Sequence, residues 1–118
     1  MAKPLPIASR DFPESVLGSR LPVLVEFATS RCPACHRLEP ILSRLADEYE
    51  GRVTFGRVDV EENPDLGDLF QIRAVPTIVL FKDSEAVDGA IGAPSAAAVR
   101  SLINANLGCG APRQSGLG

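Results

Sequence analysis

The sequence RCPACH at residues 31–36 contains two cysteines that are separated by two residues and followed by a histidine. Two kinds of chemistry use this string. In one, both thiols bind a c-type haem covalently and the histidine ligates its iron. In the other, the two cysteines alternate between a dithiol and a disulfide. The number of other possible metal ligands in the chain distinguishes the two.

The chain contains few such ligands, which argues against both haem and zinc. His36 and Met1 are its only histidine and methionine, so a haem iron bound by His36 would lack the usual second axial ligand. Cys32, Cys35 and Cys109 could bind zinc together. The fourth ligand would then be His36, which is hard to place on the same tetrahedron as its neighbour Cys35. We therefore predict no metal or other cofactor and a redox dithiol at Cys32 and Cys35. Cys109 is predicted to be a spare thiol, with a third redox thiol or a dimer-forming cysteine as the alternative.

Helix capping gives a physical reason for a reactive thiolate at Cys32. If Cys32 is the N-cap of a helix, Pro33 takes the first helical position, where its missing N–H is not needed. The free N–H groups of Ala34 and Cys35 then point back at the Cys32 sulfur. Together with the helix dipole they stabilise a thiolate, the attacking species in disulfide exchange. We predict Cys32 as the exposed nucleophile and Cys35, close enough to form a disulfide, as the more buried resolving thiol.

Strand and helix patterns alternate along the chain and place the cysteine pair between a strand and a helix. Residues 21–29 form an apolar run typical of a strand buried on both faces, and residues 33–49 have apolar side chains at helical spacing. The next predicted elements are a short helix at 11–17, a strand at 52–60, and a short helix with Asn63 as N-cap and Pro64 as first residue. Strands 76–83 and 85–93 are predicted to form a hairpin that turns at Asp83-Ser84. The last predicted element is a helix that is capped by Ser95 and runs to about Leu107. This order predicts an α/β fold in which helices cover both faces of a mixed four- to five-stranded sheet.

The whole chain has the size and charge of one ordinary globular domain. Its 118 residues can bury a core, and we predict a single domain over 1–107 followed by a flexible glycine-rich tail over 108–118. A net charge of −3 provides no basic surface for nucleic acid, and no apolar run approaches the roughly 20 residues needed to span a membrane. Because no export signal is recognisable and the cysteine usage suits a reducing compartment, we expect a cytoplasmic location.

Three stretches of the sequence, VLVEFATSRCPACHRLEPIL, LADEYEGRVTFGRVDVEENPDL and IRAVPTIVLFKDSEAVDGAIGA, together resemble a known family. In them a C-x-x-C pair follows a buried strand, Pro40 lies inside the next helix, and VPT begins a later strand. Over about residues 20–107 the chain resembles the thioredoxins. The resemblance implies the thioredoxin fold and a protein dithiol–disulfide oxidoreductase. Such a protein acts as a monomer on disulfide-containing proteins, is recycled by a thioredoxin reductase-type electron donor and needs no bound cofactor.

The resemblance also implies roles for residues near the dithiol. Glu26 interrupts an apolar strand, where a buried carboxylate is costly unless it is paired or protonated. The family has a buried acid at this position, which exchanges a proton with the resolving cysteine, and Arg57 matches a basic position that would be its partner. The alternative is a purely structural Glu26–Arg57 pair. At Pro76 the resemblance implies a cis peptide bond after Val75, packed against the dithiol.

A substrate groove follows from the same resemblance. Val75 would offer backbone hydrogen bonds to an extended substrate. Gly92 and Ala93 would complete a small groove around Cys32.

The sequence departs from the family at the dithiol itself. Typical thioredoxins have Trp before the first cysteine and Gly-Pro between the two, whereas this chain has Arg31, Pro33 and Ala34, which we expect to contact substrate, and no tryptophan. Ala34 keeps an N–H group that proline would remove, and Arg31 adds positive charge, as does His36 when protonated. These differences favour the Cys32 thiolate and stabilise the reduced form, unless Arg31 points into solvent and is screened. We predict a weaker reductant than a Cys-Gly-Pro-Cys thioredoxin and a more polar groove that prefers acidic partners.

A non-catalytic role is the alternative function. The chain could be a thioredoxin-fold binding subunit or scaffold whose altered dithiol is vestigial. The presence of both cysteines together with Glu26, Arg57 and Pro76 favours the enzyme.

Overall fold

Five strands form one mixed sheet at the centre of the computed structural model, which describes residues 3–107. The strands are β1 (Leu5–Pro6), β2 (Val23–Ala28), β3 (Thr54–Asp59), β4 (Thr77–Lys82) and β5 (Glu85–Ile91), in the spatial order β1-β3-β2-β4-β5. β3 is parallel to β1 and β2, whereas β4 is antiparallel to β2 and β5. The predicted mixed sheet is confirmed, with five strands. The proposed tail over 108–118 and Cys109 lie outside the described residues.

Helices cover both faces of this sheet, as the element order predicted. The helices α1 (Pro33–Glu48) and α3 (Ala96–Leu107) pack on one face. The other face is covered by α2 (Pro64–Leu69) and by an N-terminal helical segment, which consists of a 3-10 turn at Ser9–Asp11 and a π-helical turn at Pro13–Leu17. Within residues 3–107 no helix has the length and apolar character needed to cross a membrane.

Two apolar cores lie on the two faces of the sheet and hold β2 between them. Every residue of β2 is buried, and its side chains alternate between the two cores. The core under α1 and α3 contains Leu24, Leu38, Leu42, Leu45, Phe55, Ile78, Leu80, Val99 and Ile103. The core under α2 and the N-terminal segment contains Ile7, Phe12, Val16, Val23, Val25, Phe27, Val58, Leu66 and Phe81. This double burial fixes β2, and therefore the start of α1, rigidly in the molecule.

Turn and helix-capping residues in the sequence correctly predicted the turn between β4 and β5 and the start of α3. Asp83 and Ser84 both have positive φ, 53° and 68°, and form the two-residue turn between β4 and β5. The Ser95 hydroxyl accepts a hydrogen bond from the Ala98 N–H at 3.1 Å and so caps α3.

The structure corrects the sequence interpretation at two places. β1 was not predicted, because Pro4 and Pro6 interrupt its apolar residues. It is a short edge strand, where a proline without an N–H is tolerated. Asn63 lies at the N-cap position of α2, but its side chain does not cap the helix. Its Oδ1 instead accepts hydrogen bonds from the backbone N–H and the hydroxyl of Ser9, and so links the N-terminal segment to α2.

Candidate active site

The two cysteines lie where β2 ends and α1 begins, at the carboxyl end of a central strand. Cys32 is the N-cap residue of α1, with extended backbone angles, and Pro33 is the first helical residue. Cys32 and Cys35 are joined in a disulfide with their Cα atoms 5.1 Å apart. The Cys35 N–H donates a hydrogen bond of 3.0 Å to the Cys32 sulfur. This sulfur therefore lies at the positive end of the α1 dipole, where negative charge is stabilised.

The expected contribution of Ala34 is not seen in this disulfide form. The sequence predicted that the N–H groups of both Ala34 and Cys35 point at the Cys32 sulfur. Among residues 3–107 that hydrogen bond comes from Cys35 alone. The Ala34 side chain packs against the two cysteines instead.

The two sulfurs differ in their access to solvent. Cys32 is 8% exposed, whereas Cys35 is completely buried. Both pack with Ala28 at the end of β2, and Ala34 and Val75 cover this small cluster from outside. Cys32 thus keeps a small accessible surface and Cys35 has none, although Cys32 is more buried than the exposed nucleophile that the sequence predicted.

The segment before β4 forms one wall beside the dithiol. The Val75–Pro76 bond is cis, as the resemblance implied, and Val75 packs against the cysteine cluster. The Thr77 hydroxyl donates to the Ala74 carbonyl at 2.6 Å. The Pro76 carbonyl accepts a hydrogen bond of 2.8 Å from the N–H of Gly92, whose φ of 95° lies in the left-handed region that favours glycine. Gly92 is thereby held next to this wall, and the exposed Ala93 follows it.

Four basic residues lie near the dithiol or the Val75 wall in the sequence. Arg31, His36 and Arg37 flank or follow the cysteines, and Arg73 precedes the Val75 wall; all four are exposed. None of them forms an ion pair with another residue of the part of the chain that the structure describes. The three exposed arginines can therefore offer positive charge to a substrate.

Beneath the dithiol, one buried carboxylate faces one arginine. Glu26 lies on β2 two residues before Ala28, on the same face of the sheet, and it is completely buried. Arg57 is its partner residue on β3, with the Arg57 Nε 3.7 Å from the Glu26 Oε1. Neither carboxylate oxygen has a hydrogen-bond partner among residues 3–107, and the Arg57 Nη2 donates instead to the Thr29 carbonyl at 3.3 Å.

Burial changes the acid strength of Glu26. Removal from water raises its pKa from 4.5 to about 7, although the positive charge of Arg57 acts in the opposite direction. The carboxylate of Glu39 raises it further. At neutral pH this group is therefore poised between its two protonation states, as a group that exchanges protons must be.

Sequence reasoning missed three residues at this site. The Glu39 Oε2 lies 3.9 Å from the Arg57 Nε, so Arg57 has two carboxylates rather than one. The Thr29 carbonyl holds the other end of the same guanidinium. Ile91, 75% exposed, presents an apolar side chain immediately before Gly92. Only Glu39 left a signal, because it follows Cys35 by four residues and so lies on the same face of α1. No group of three or more His, Cys, Asp or Glu within residues 3–107 is arranged to hold a metal ion.

Comparisons with known proteins agree with this geometry. The family model described as Thioredoxin matches residues 3–105. The chain is 34% identical to the thioredoxin of Buchnera aphidicola subsp. Acyrthosiphon pisum over 107 residues, which cover 91% of this chain and 99% of that protein. It is 33% identical to the thioredoxin of Synechocystis sp. over 101 residues (86% and 94% covered) and 34% identical to that of Rickettsia bellii over 101 residues (86% and 96% covered). The similarity thus extends over nearly the whole of each relative.

Proposed function

The chain belongs to the thioredoxin family and is a protein dithiol–disulfide oxidoreductase, as its sequence predicted, and on this premise we propose that Cys32 is its nucleophile and Cys35 its resolving thiol. One observation carries the assignment: Cys32, at the N-terminus of α1, keeps some accessible surface, whereas Cys35 is completely buried. The helix end favours a thiolate on the first, and burial protects the second from side reactions.

The proposed reaction transfers two electrons from the protein dithiol to a substrate disulfide. The Cys32 thiolate attacks one substrate sulfur, the substrate S–S bond breaks, and the leaving thiolate takes a proton from solvent. Cys35 then gives its proton to the Glu26 carboxylate and attacks the Cys32 sulfur of the mixed disulfide. The second substrate thiolate leaves and is protonated. The products are a substrate dithiol and the Cys32–Cys35 disulfide found in this structure.

Glu26 is the proposed proton acceptor for Cys35, and Arg57 is the residue that holds it. Support comes from the position of Glu26 beneath the cysteine cluster and from its pKa of about 7, which lets it both accept and release a proton at neutral pH. A purely structural buried pair needs good hydrogen-bond geometry and satisfied oxygens, whereas the Glu26 oxygens have no hydrogen-bond partner among residues 3–107. A normal rate of resolution at Cys35 in a Glu26→Gln variant would leave the structural role alone.

Substrates are proposed to bind in extended form across the wall beside Cys32. Val75 provides backbone groups and Pro76 supports them, and Gly92 and Ala93, which lie next to this wall, extend the groove. Pro33 and Ala34, at the start of α1, line its floor. The family implies disulfide-containing proteins as substrates and a reductase as electron donor; we propose a thioredoxin reductase-type partner, a monomeric protein and a cytoplasmic location, where thiols are kept reduced.

The charge of Arg31 should set a preference for acidic substrates. In wild type we expect a disulfide peptide flanked by aspartates to react faster than the same peptide flanked by lysines, because the exposed guanidinium has no ion-pair partner in the described part of the chain. In Arg31→Glu the ratio of the two second-order rate constants should fall on the order of tenfold. Stopped-flow measurement of the ratio removes any effect on the Cys32 thiolate, since that effect is common to both peptides.

Arg20→Glu is the matched control for this ratio. Arg20 is also exposed, but it precedes β2 and so lies toward the opposite end of that strand from the dithiol. It should leave the ratio as in wild type. Equal ratios in wild type and Arg31→Glu would remove Arg31 from the substrate site.

The N–H group of Ala34 should make the protein a weaker reductant than a Cys-Gly-Pro-Cys thioredoxin. We expect the Cys32–Cys35 reduction potential to lie above the value of about −270 mV that is typical of thioredoxin. In Ala34→Pro it should become more negative by roughly 30–60 mV, because one hydrogen bond to a charged sulfur stabilises the reduced form by about 1.5–3 kcal/mol. Equilibration with defined thiol buffers, in a Cys109→Ser background, measures both values.

This prediction concerns the reduced form, since in the disulfide form the Ala34 N–H does not contact the Cys32 sulfur. Ala34→Gly is the matched control, because it changes the same side chain but keeps the N–H group, and it should leave the potential close to the wild-type value. An unchanged potential in Ala34→Pro would show that the Cys35 N–H and the helix dipole alone stabilise the thiolate.

A further inference from the structure

Arg57 lies between two carboxylates rather than beside one. Its Nε is 3.7 Å from the Glu26 Oε1 and 3.9 Å from the Glu39 Oε2, and this Nε has no hydrogen-bond partner among residues 3–107. The guanidinium is fixed at its other end by the hydrogen bond from Nη2 to the Thr29 carbonyl. The Nε of this guanidinium therefore lies at nearly the same distance from both acids.

The two acids face different surroundings. Glu26 is completely buried under the dithiol, whereas the Glu39 side chain is 47% exposed and borders a cleft of about 710 Å³ between α1 and the chain at Lys3 and Pro4. The Arg57 side chain, 26% exposed, lines the same cleft. Glu39 thus approaches Arg57 from the solvent side, whereas Glu26 approaches Arg57 from the interior.

We propose, building on the proton exchange between Glu26 and Cys35 proposed above, that Glu39 is a positioning residue which shares Arg57 with Glu26 and thereby sets how tightly Glu26 holds its proton. Glu39 does not touch the cysteines or the substrate. It acts by drawing the guanidinium toward the cleft and by placing a second negative charge near the buried carboxyl. Both effects make ionisation of Glu26 less favourable.

The charged groups around Glu26 come from two elements. Arg57 on β3 lowers the pKa of Glu26, and Glu39 on α1 raises it, in addition to the larger effect of burial. The β4 residue paired with Glu26 is the apolar Ile78, which contributes no charge. Further along the cleft lie Lys3 and Arg44, together with Asp47 on α1, but they are not among the groups that shift this pKa. Of the described residues, Glu39 is therefore the one acid that opposes Arg57.

The test is the titration of Glu26 in a Glu39→Gln variant. Glutamine keeps the size of the side chain and removes only its charge, and the half-exposed position tolerates the change. We expect the titration midpoint of the Glu26 carboxyl, followed by 13C NMR in the reduced Cys109→Ser protein, to fall by a fraction of a pH unit, since Glu39 is the smallest of the three influences on it. The sign follows from removal of a negative charge and release of Arg57 toward Glu26.

Two variants separate this effect from a general change in surface charge. Glu48→Gln removes an acid from the same helix, but Glu48 is paired with Arg100 at the far end of α1, so it should leave the Glu26 midpoint unchanged. Glu39→Asp keeps the charge and should restore most of the wild-type value. In an Arg57→Gln background the effect of Glu39→Gln should shrink, and an undiminished effect would overturn the sharing of Arg57.

The titration result for Glu39→Gln tests the inference independently of the proton-acceptor role of Glu26. An unchanged Glu26 midpoint in Glu39→Gln overturns the inference, whatever the kinetics show. If the midpoint falls and the pH dependence of resolution at Cys35 moves with it, both the inference and the proton-acceptor role are supported. If the midpoint falls while the rate profile stays fixed, the inference holds and the role of Glu26 in resolution is wrong.

Discussion

A Cys35→Ser variant should stop the reaction halfway and accumulate a mixed disulfide between Cys32 and its substrate. Serine at this buried position cannot attack the Cys32 sulfur, so the first step proceeds and the second does not. Steady-state reduction of a protein disulfide should fall roughly a thousandfold or more, to the uncatalysed background. Mass spectrometry of the intact protein after incubation with a disulfide-bonded protein would show one covalently attached substrate, removable by a small dithiol.

Cys32→Ser is the counterpart that assigns the nucleophile. It should lose activity to the same extent but should form no adduct, because Cys35 is completely buried and cannot be reached. Both variants are compared in a Cys109→Ser background, so that the third thiol cannot form the adduct. Adduct formation by Cys32→Ser, or none by Cys35→Ser, would contradict the assignment.

The sequence predicts the fold wherever local chemistry and tertiary packing agree. β2 is recognisable because both of its faces are buried, which leaves an uninterrupted apolar run. β1 is not recognisable, because a two-residue edge strand needs neither apolar alternation nor its own N–H donors, and Pro6 conceals it. Asn63 shows the same limit, since its capping position is encoded locally while its actual partner, Ser9, is 54 residues away.

The same distinction applies to the site, where some residues are predictable from local sequence and others depend on tertiary contacts. The positions of Cys32, Cys35 and Glu26 follow from local pattern, because thiols two residues apart and a carboxylate inside an apolar strand have few physical explanations. The cis bond at Pro76 could be anticipated only through resemblance to a family. Glu39 could not be assigned to Arg57 from the sequence, because their contact depends on how α1 crosses β3, and a half-exposed glutamate on a helix is otherwise unremarkable.

A buried acid with a raised pKa also has consequences for stability. We compare the free energy of unfolding of a Glu26→Gln variant with that of wild type. Between pH 4 and pH 8 the difference should change by about 3 kcal/mol in favour of the variant. The Glu26 pKa is 4.5 in an ordinary environment and about 7 in the folded protein. Each pH unit of this difference, about 2.5 units in all, corresponds to about 1.4 kcal/mol. Urea unfolding of both oxidised proteins at several values between pH 4 and pH 8 would measure the change.

The sign of this effect follows from proton binding. Between pH 4.5 and 7 the unfolded chain has released the Glu26 proton while the folded protein still holds it, so the unfolded state binds fewer protons and wild-type stability falls as the pH rises. The contribution is complete below pH 4.5 and lost above pH 7. Glutamine cannot titrate, so the difference between the two proteins isolates this one group from all other ionisable groups. Glu48→Gln, at an exposed position, should show no such loss across this range. Stability curves for wild type and Glu26→Gln that remain parallel from pH 4 to pH 8 would mean that Glu26 is ionised in the folded protein, and proton transfer from Cys35 would then need another acceptor.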